Sequence, residues 1–353
     1  MTTLCMMQKP TDVLIGITRR CNLRCRHCNL WQKTVSLRED AVSFFLAMRD
    51  GFAHRSFAKV LRKEELPYKE WIRILSDLKD WLGPYRLSIT GGEPFIREDL
   101  VDIIRYCHGN GISAAVSTNA TLLTQQLISE LSGLSTLTLN ISLDGSTPKT
   151  HDYLRGVSGT YQKVMGVLEQ FKSTNRRCAI YIATILMDPN CDEILDIVKL
   201  SHERKLADGI IFQALDQAFG IRYKEGWFRK NKFWPRGQAC DRLIGVIEKL
   251  VTLKNDGARI LNSVEQLRKF QSYFTDPARD KSDHCASGKN NFIVNGLGDV
   301  FLCWKRSPIA HFSSDPGKLW DSAAAERRRK DIRSCRRTCR LLNCNFKQNN
   351  IKD

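Results

Sequence analysis

The sequence predicts an α/β protein: a partial (β/α)6 barrel of the TIM type, followed by a small cysteine-rich C-terminal domain. Three observations predict it. Short β-branched runs alternate with helical patterns through the first two thirds of the chain. About six such units are visible, too few for a closed eight-unit barrel. Near Ser282 the rhythm gives way to a segment with few long helices and many cysteines.

The strand-like runs are Asp12–Thr18, Arg86–Thr90, Ala114–Ser117, Thr136–Ser142, Cys178–Leu186 and Ile210–Gln213. Helical patterns separate them at Lys69–Leu82, Asp99–Gly109, Leu122–Leu134, Tyr161–Ser173 and Ile194–Lys205. Strands joined through helices of this length form right-handed βαβ units, which make a parallel sheet. Functional residues are then expected at the C-terminal strand ends. Val35–Leu66 interrupts the first unit and reads as a basic insertion or lid. Two more helices are expected at Gln238–Asn255 and Ser263–Tyr273. The shifts place a barrel core at 1–215, a helical connecting region at 216–281 and a cysteine-rich domain at 282–353.

Composition narrows the class. The chain has 353 residues, 42% hydrophobic and 26% charged, as in a globular protein with a sizeable core. It has no apolar run long enough to span a membrane and no secretory signal pattern in Met1–Pro10. Thirteen cysteines without an export signal read as metal or catalytic thiols in a reducing cytoplasm, before disulfides. The formal net charge of +17 points to an acidic redox partner, a phosphorylated substrate or nucleic acid, although a solvated helix face accounts for much of it.

Cys21, Cys25 and Cys28 follow the first strand as Cys-Asn-Leu-Arg-Cys-Arg-His-Cys. One loop of this spacing can wrap three thiolates around a soft metal centre. Three ligands leave one iron of a four-iron cluster open to a small molecule. A zinc site would want a fourth donor, and His27 is badly placed beside Cys28. Gly91-Gly92-Glu93-Pro94 follows the second strand. The glycines permit close backbone approach to a ligand, Glu93 offers an acceptor for an ammonium, and Pro94 fixes the turn. A plain strand-to-helix turn is the alternative. Ser117-Thr118-Asn119 ends the third strand, where it can bond a ribose or carboxylate or else cap a helix.

The CxxxCxφC spacing, with His27 at φ, resembles the signature of the radical S-adenosylmethionine (radical SAM) superfamily. The resemblance implies a [4Fe–4S] cluster on Cys21, Cys25 and Cys28 whose open iron chelates S-adenosyl-L-methionine. Reductive cleavage then gives a 5′-deoxyadenosyl radical that abstracts hydrogen from an unactivated C–H bond. In that family Gly91, Gly92, Glu93 and Pro94 bind the methionine amino group, and Ser117 and Asn119 lie at the ribose-contacting strand end. Ser142-Leu-Asp-Gly145 and His151-Asp-Tyr-Leu-Arg155 are similar to the subgroup with SPASM or twitch extensions. There Ser142 and Arg155 contact the cofactor carboxylate. Asp144 either binds substrate or caps a turn, and His151 reads as a turn residue.

The C-terminal segment holds Cys285, Cys303, Cys335, Cys339 and Cys344. Asn290–Val294 and Asp299–Leu302 frame a hairpin with Gly296 and Gly298 at its turn. The opening Cys285-x12-Gly298-x4-Cys303 resembles a SPASM/twitch extension. Five cysteines suit one auxiliary [4Fe–4S] cluster with one thiol of the last three spare. A zinc ribbon is the alternative.

Cys240, near a helix start, could have a lowered pKa and serve as a hydrogen-atom donor, or be a plain semi-buried side chain. Cys5, Cys107, Cys178 and Cys191 read as structural, and Gln213 could face the cavity. The resemblance implies a reducing partner such as flavodoxin or ferredoxin. About twenty residues precede Cys21, which argues against a leader-binding domain there and favours oxidation or epimerisation of a sugar-like natural-product intermediate. A ribosomally made peptide is the next reading. A non-enzymatic zinc or iron–sulfur protein that binds nucleic acid is the alternative of another class, though no nucleic-acid module is apparent.

Overall fold

The computed structural model describes residues 8–31, 65–217, 224–277 and 285–341. Val35–Glu64 of the insertion, Cys5 and Cys344 lie outside the described residues. Six parallel strands form the barrel: β1 (Asp12–Thr18), β2 (Arg86–Gly91), β3 (Ser113–Thr118), β4 (Leu137–Ser142), β5 (Ala179–Leu186) and β6 (Gly209–Ala214). Between them run helices α1 (Tyr68–Leu82), α2 (Leu100–Gly109), α3 (Gln125–Ser132), α4 (Pro148–Arg155), α5 (Thr160–Ser173) and α6 (Ile194–Arg204). Helices α7 (Gln238–Asn255) and α8 (Val264–Thr275) follow.

Period-two patterning decides which strand face is buried. Val13, Ile15, Leu87, Ile89, Val116, Leu139, Ile180 and Ile182 are sealed in the core. Helix α1 contributes Trp71, Ile74, Leu75 and Leu78, spaced at helical intervals. The opposite strand face is small and polar. Thr90, Ser117, Asn140 and Tyr181 share one register row across β2–β5 and are only partly covered or exposed. Ser142, Ala183 and Gln213 extend this concave face toward the C-terminal strand ends.

Two elements differ from the sequence reading. The stretch read as a turn around His151 is α4, capped by Thr147 with Pro148 in its first turn and closed by Gly156 at φ +70°. The basic run Arg327–Arg340, whose charge the sequence assigns mostly to a solvated helix face, is helical as far as Arg333 but buries one side. After α9 (Ser287–Asn290) and α10 (Pro316–Trp320), helix α11 (Ala323–Arg333) starts at the Ser322 cap and buries Ala325, Arg329 and Ile332. Its charge masked its one buried stripe.

The expected hairpin is β7 (Asn291–Asn295) and β8 (Asp299–Phe301), with β9 (Ala310–His311) beside it. It extends the barrel sheet: β7 pairs in parallel with β1, giving the order β6-β5-β4-β3-β2-β1-β7-β8-β9. The far edge at β6 is partly covered, since the Asn262 side chain bonds both the N–H and the C=O of Phe212.

Candidate active site

The Cys21–Cys28 loop leaves β1 through a register shift between Gly16 and Thr18. Two other backbones hold it. On one side the amides of Gly92 and Glu93 donate to Thr18 O and Arg20 O, both at 2.8 Å. Gly91 adopts φ +139°, and a Cβ there would stand 2.1 Å from Thr18 O. A Cβ on Gly92 would stand 2.0 Å from Arg20 O. The glycines therefore admit the cysteine loop itself, not only a ligand. On the other side, Arg24 N and Arg26 N donate to Arg155 O and Leu154 O at 3.2 and 2.8 Å. Gly156 is needed there, because its Cβ would meet Arg24 O at 2.1 Å.

Buried polar groups brace this clamp. Glu93 is 1% exposed. Its carboxylate accepts from Thr118 Oγ1 (2.7 Å), Asn119 N (2.7 Å) and Phe95 N (3.1 Å). Burial raises its pKa, and those donors oppose the shift. Both oxygens are thus engaged inside the protein, tying the β2 end to the β3 end. Oε2 accepts only one of these bonds and keeps a lone pair for a further donor such as an ammonium. Asn119 continues the chain, with its Nδ2 donating to Asn22 of the loop at 2.9 Å. Sequence reasoning missed Glu65, which accepts from Thr18 Oγ1 at 2.6 Å and lies 3.4 Å from Arg20 Nε and 3.7 Å from Arg97 Nη1. No local pattern marks a residue that acts from so far along the chain.

Beneath the loop lies a buried ion pair. Arg155 Nη2 sits 2.7 Å from Asp144 Oδ2, and Arg155 Nη1 is 3.9 Å from Cys25 Sγ. Burial opposes ionisation of both groups, yet each holds the other charged: Asp144 stays below the usual carboxylate range and Arg155 above its own. Asp144 is fully buried and also accepts from Ile185 N at 3.0 Å, so it neither caps an exposed turn nor faces substrate. His151 is buried in α4, and its Nδ1 accepts from Asp144 N at 3.2 Å.

Burial holds the His151 pKa down at about 4. The unfolded chain takes up its proton near pH 6.5, so stability rises with pH from about 4 to 6.5. Acidification from pH 7.5 to 5 is expected to cost about 2 kcal/mol through this residue. Urea titrations of His151→Asn, whose Oδ1 keeps the acceptor, should lose about half of the measured slope, since burial also holds His27 down at about 4; an unchanged slope would refute it.

Pro94, in its single helical turn, fixes the chain after Glu93. Ser117 is exposed and Ser142 half-buried, both on the concave face within reach of a ligand lying across the strand ends. Gln213, opposite Ile185 in register, is on the same face. Trp304 was not singled out by sequence. Its indole packs on Gly16, where a Cβ would come within 2.8 Å of Cη2. Next to it, Lys305 Nζ pairs with Asp216 Oδ2 at 2.6 Å and donates to Gln217 O at 2.9 Å, linking the β8 side to the end of β6.

The segments of the second cysteine group are braced by side-chain-to-backbone bonds, although among the described residues its thiols form no group of three that could hold a metal ion. Ser287 Oγ donates to Leu302 O at 2.7 Å, joining the segments that carry Cys285 and Cys303. Arg306 reaches Asp331 O at 3.2 Å and Arg337 reaches Lys305 O, tying the segment after Cys303 to the one that carries Cys335 and Cys339. All four thiols are half-buried. Cys107, Cys178 and Cys191 are buried away from both groups. Cys240 Sγ lies 3.5 Å from Phe274 O and packs on the core. Burial raises its pKa, which corrects the expectation of an activated thiol. Cys240→Ala is expected to leave the entry of solvent hydrogen into the product unchanged and to cost about 1 kcal/mol in thermal unfolding; loss of that entry with abstraction and the fold intact would restore it as a donor.

The first loop suits a soft cluster chemically. Burial pushes the Cys21 thiol up to about 11 and raises Cys28, so thiolates there need a metal to hold them. Arg155 Nε and His27 Nδ1 are buried beside it without hydrogen-bond partners.

The sequence profile of the Radical SAM superfamily matches residues 15–201, more than half of the chain. The chain belongs to the radical SAM superfamily. As a radical SAM protein it binds a [4Fe–4S] cluster and S-adenosylmethionine. An AdoMet-dependent heme synthase from Methanosarcina barkeri is 23% identical over 283 residues, 76% of each chain. A PqqA peptide cyclase from Rhodopseudomonas palustris is 23% identical over 350 residues, 96% of this chain and 80% of that one. Six other curated relatives are matched over only 33–62% of their length. Among solved structures, Streptococcus suis SuiB bound to its precursor peptide SuiA superposes with a TM-score of 0.64, 19% identity and coverage of 92% of this chain and 67% of that one. The superposition shows a shared fold over 92% of this chain.

Proposed function

We propose that the chain cleaves S-adenosylmethionine reductively and uses the radical to modify a ribosomally made peptide. The clamped loop of Cys21, Cys25 and Cys28 carries this reading, because it holds all three thiols on one segment that leaves the C-terminal end of β1. When bound, the cluster and cofactor supply the 5′-deoxyadenosyl radical. Gly91, Gly92, Glu93 and Pro94 hold the loop and present backbone groups to the methionine end. Ser142 and Ser117 face the cofactor from the strand ends, and Asn119 fixes the loop through Asn22. Arg155 offsets thiolate charge at Cys25. Cys285, Cys303 and two of Cys335, Cys339 and Cys344 hold an auxiliary [4Fe–4S] cluster. A flavodoxin or ferredoxin supplies the electron.

The peptide replaces the sugar-like substrate favoured by sequence. The curated PqqA relative is a peptide cyclase and the SuiB structure holds a precursor peptide, while no relative reported above is named for a sugar. Whether the product is a cross-link, an oxidation or an epimer is left to the assay. Anaerobic reconstitution should load about eight iron and eight sulfide per chain, from two four-iron clusters. Reduced protein with S-adenosylmethionine should release 5′-deoxyadenosine, and labelled candidate peptides should pass deuterium into it. One or two zinc ions and no 5′-deoxyadenosine would support the non-enzymatic alternative.

A further inference from the structure

Helix α11 has two faces with different fates. Ala325, Arg329 and Ile332 are buried, with Arg329 Nε donating to Gly288 O at 3.1 Å. Ala324, Arg327, Arg328 and Asp331 recur at helical spacing on another face. They line a cleft of about 490 Å³ with Lys330, Pro308 and Ile309. Pro308 and Ile309 lead directly into β9, the edge strand of the sheet. Three cations therefore stand around the cleft against one carboxylate. Arg328 engages that carboxylate at 3.4 Å. The Arg327 guanidinium makes no hydrogen bond or ion pair among the described residues.

We infer that this cleft docks an extended acidic segment of the peptide substrate. The inference rests on the peptide reading above and names the surface that would recognise it. Acidic side chains meet Arg327, Arg328 and Lys330, while apolar ones lie on Pro308, Ile309 and Ala324. An extended chain is the shape that runs along a sheet edge. Nucleic acid is a poorer occupant, because no aromatic ring lines the cleft for base stacking and Asp331 would repel phosphate. A protein electron donor is poorer too. It must approach the first cysteine loop, and β9 is three strands from β1, about 14 Å across the sheet. The chain's own residues 342–353 carry two lysines and one aspartate and do not complement the charge.

The test uses the full-length, cluster-loaded protein. The probes are a fluorescein-labelled twelve-residue peptide of alternating Glu and Leu, its Lys/Leu counterpart, oligo-dT of twelve nucleotides, and flavodoxin. Anisotropy should show the acidic peptide binding, more weakly at higher salt, and the basic one not. Binding should fall about tenfold in Arg327→Gln/Arg328→Gln/Lys330→Gln, with circular dichroism and substrate-free 5′-deoxyadenosine release unchanged. Hydrogen exchange should slow at 308–311 and 324–331 on binding; Lys330→Gln alone, less disruptive to the helix, should weaken it in part. Equal binding by the triple variant overturns the inference, as does tighter oligo-dT binding or flavodoxin protection at these segments. Such failure with deuterium transfer from peptides intact leaves the proposed function standing. Absence of transfer from every peptide sinks the function itself.

Discussion

Alanine in place of Gly92 is expected to abolish 5′-deoxyadenosine formation while leaving the barrel folded. The new Cβ would lie 2.0 Å from Arg20 O and 2.9 Å from Arg19 O. Both are backbone atoms, so no side chain can swing aside. The loop between Arg19 and Cys28 must then move by about 1 Å, and a displacement of that size costs about 100-fold or more in rate. Iron loading should fall in parallel, because the same segment leads into Cys21. Gly166→Ala is the control. Gly166 is exposed within α5, and its Cβ would meet nothing within 4 Å. That change should be neutral or stabilise by up to about 1 kcal/mol. Full iron content and normal 5′-deoxyadenosine release in Gly92→Ala would show that the loop is not clamped there.

The second large effect concerns the buried pair. Asp144→Asn leaves the Arg155 cation buried without its counter-charge, which typically destabilises by about 3–5 kcal/mol. The melting temperature should drop on the order of 10 °C. The double variant Asp144→Asn/Arg155→Met removes the stranded charge and should regain much of that stability. It should not regain activity, because the cation beside Cys25 is gone. The pH sign follows from the depressed Asp144 pKa. The pair's contribution is complete above the ordinary carboxylate range and is lost as acid protonates Asp144 below it. Stability equal to wild type in the single variant would remove the pair from the account.

Sequence and structure divide the credit by the range of the interactions. The strand and helix runs of the barrel were legible because burial imprints a period of two or 3.6 on neighbouring residues. Cys21, Cys25 and Cys28 were legible because one loop supplies all three. Helix α4 was signalled too, by Thr147-Pro148 at one end and Gly156 at the other, but its polar middle read as a turn.

The amino-acid sequence by itself determined the parallel barrel units, the three-thiol loop and the cysteine-rich end. Only the tertiary structure decided that Glu93 turns inward, that the paired glycines admit another backbone, that Asp144 neutralises Arg155 and that Trp304 leans on Gly16. It also placed β7 against β1. Each of these joins residues far apart in the chain, and no short window of sequence carries the geometry of a contact whose two sides meet only on folding.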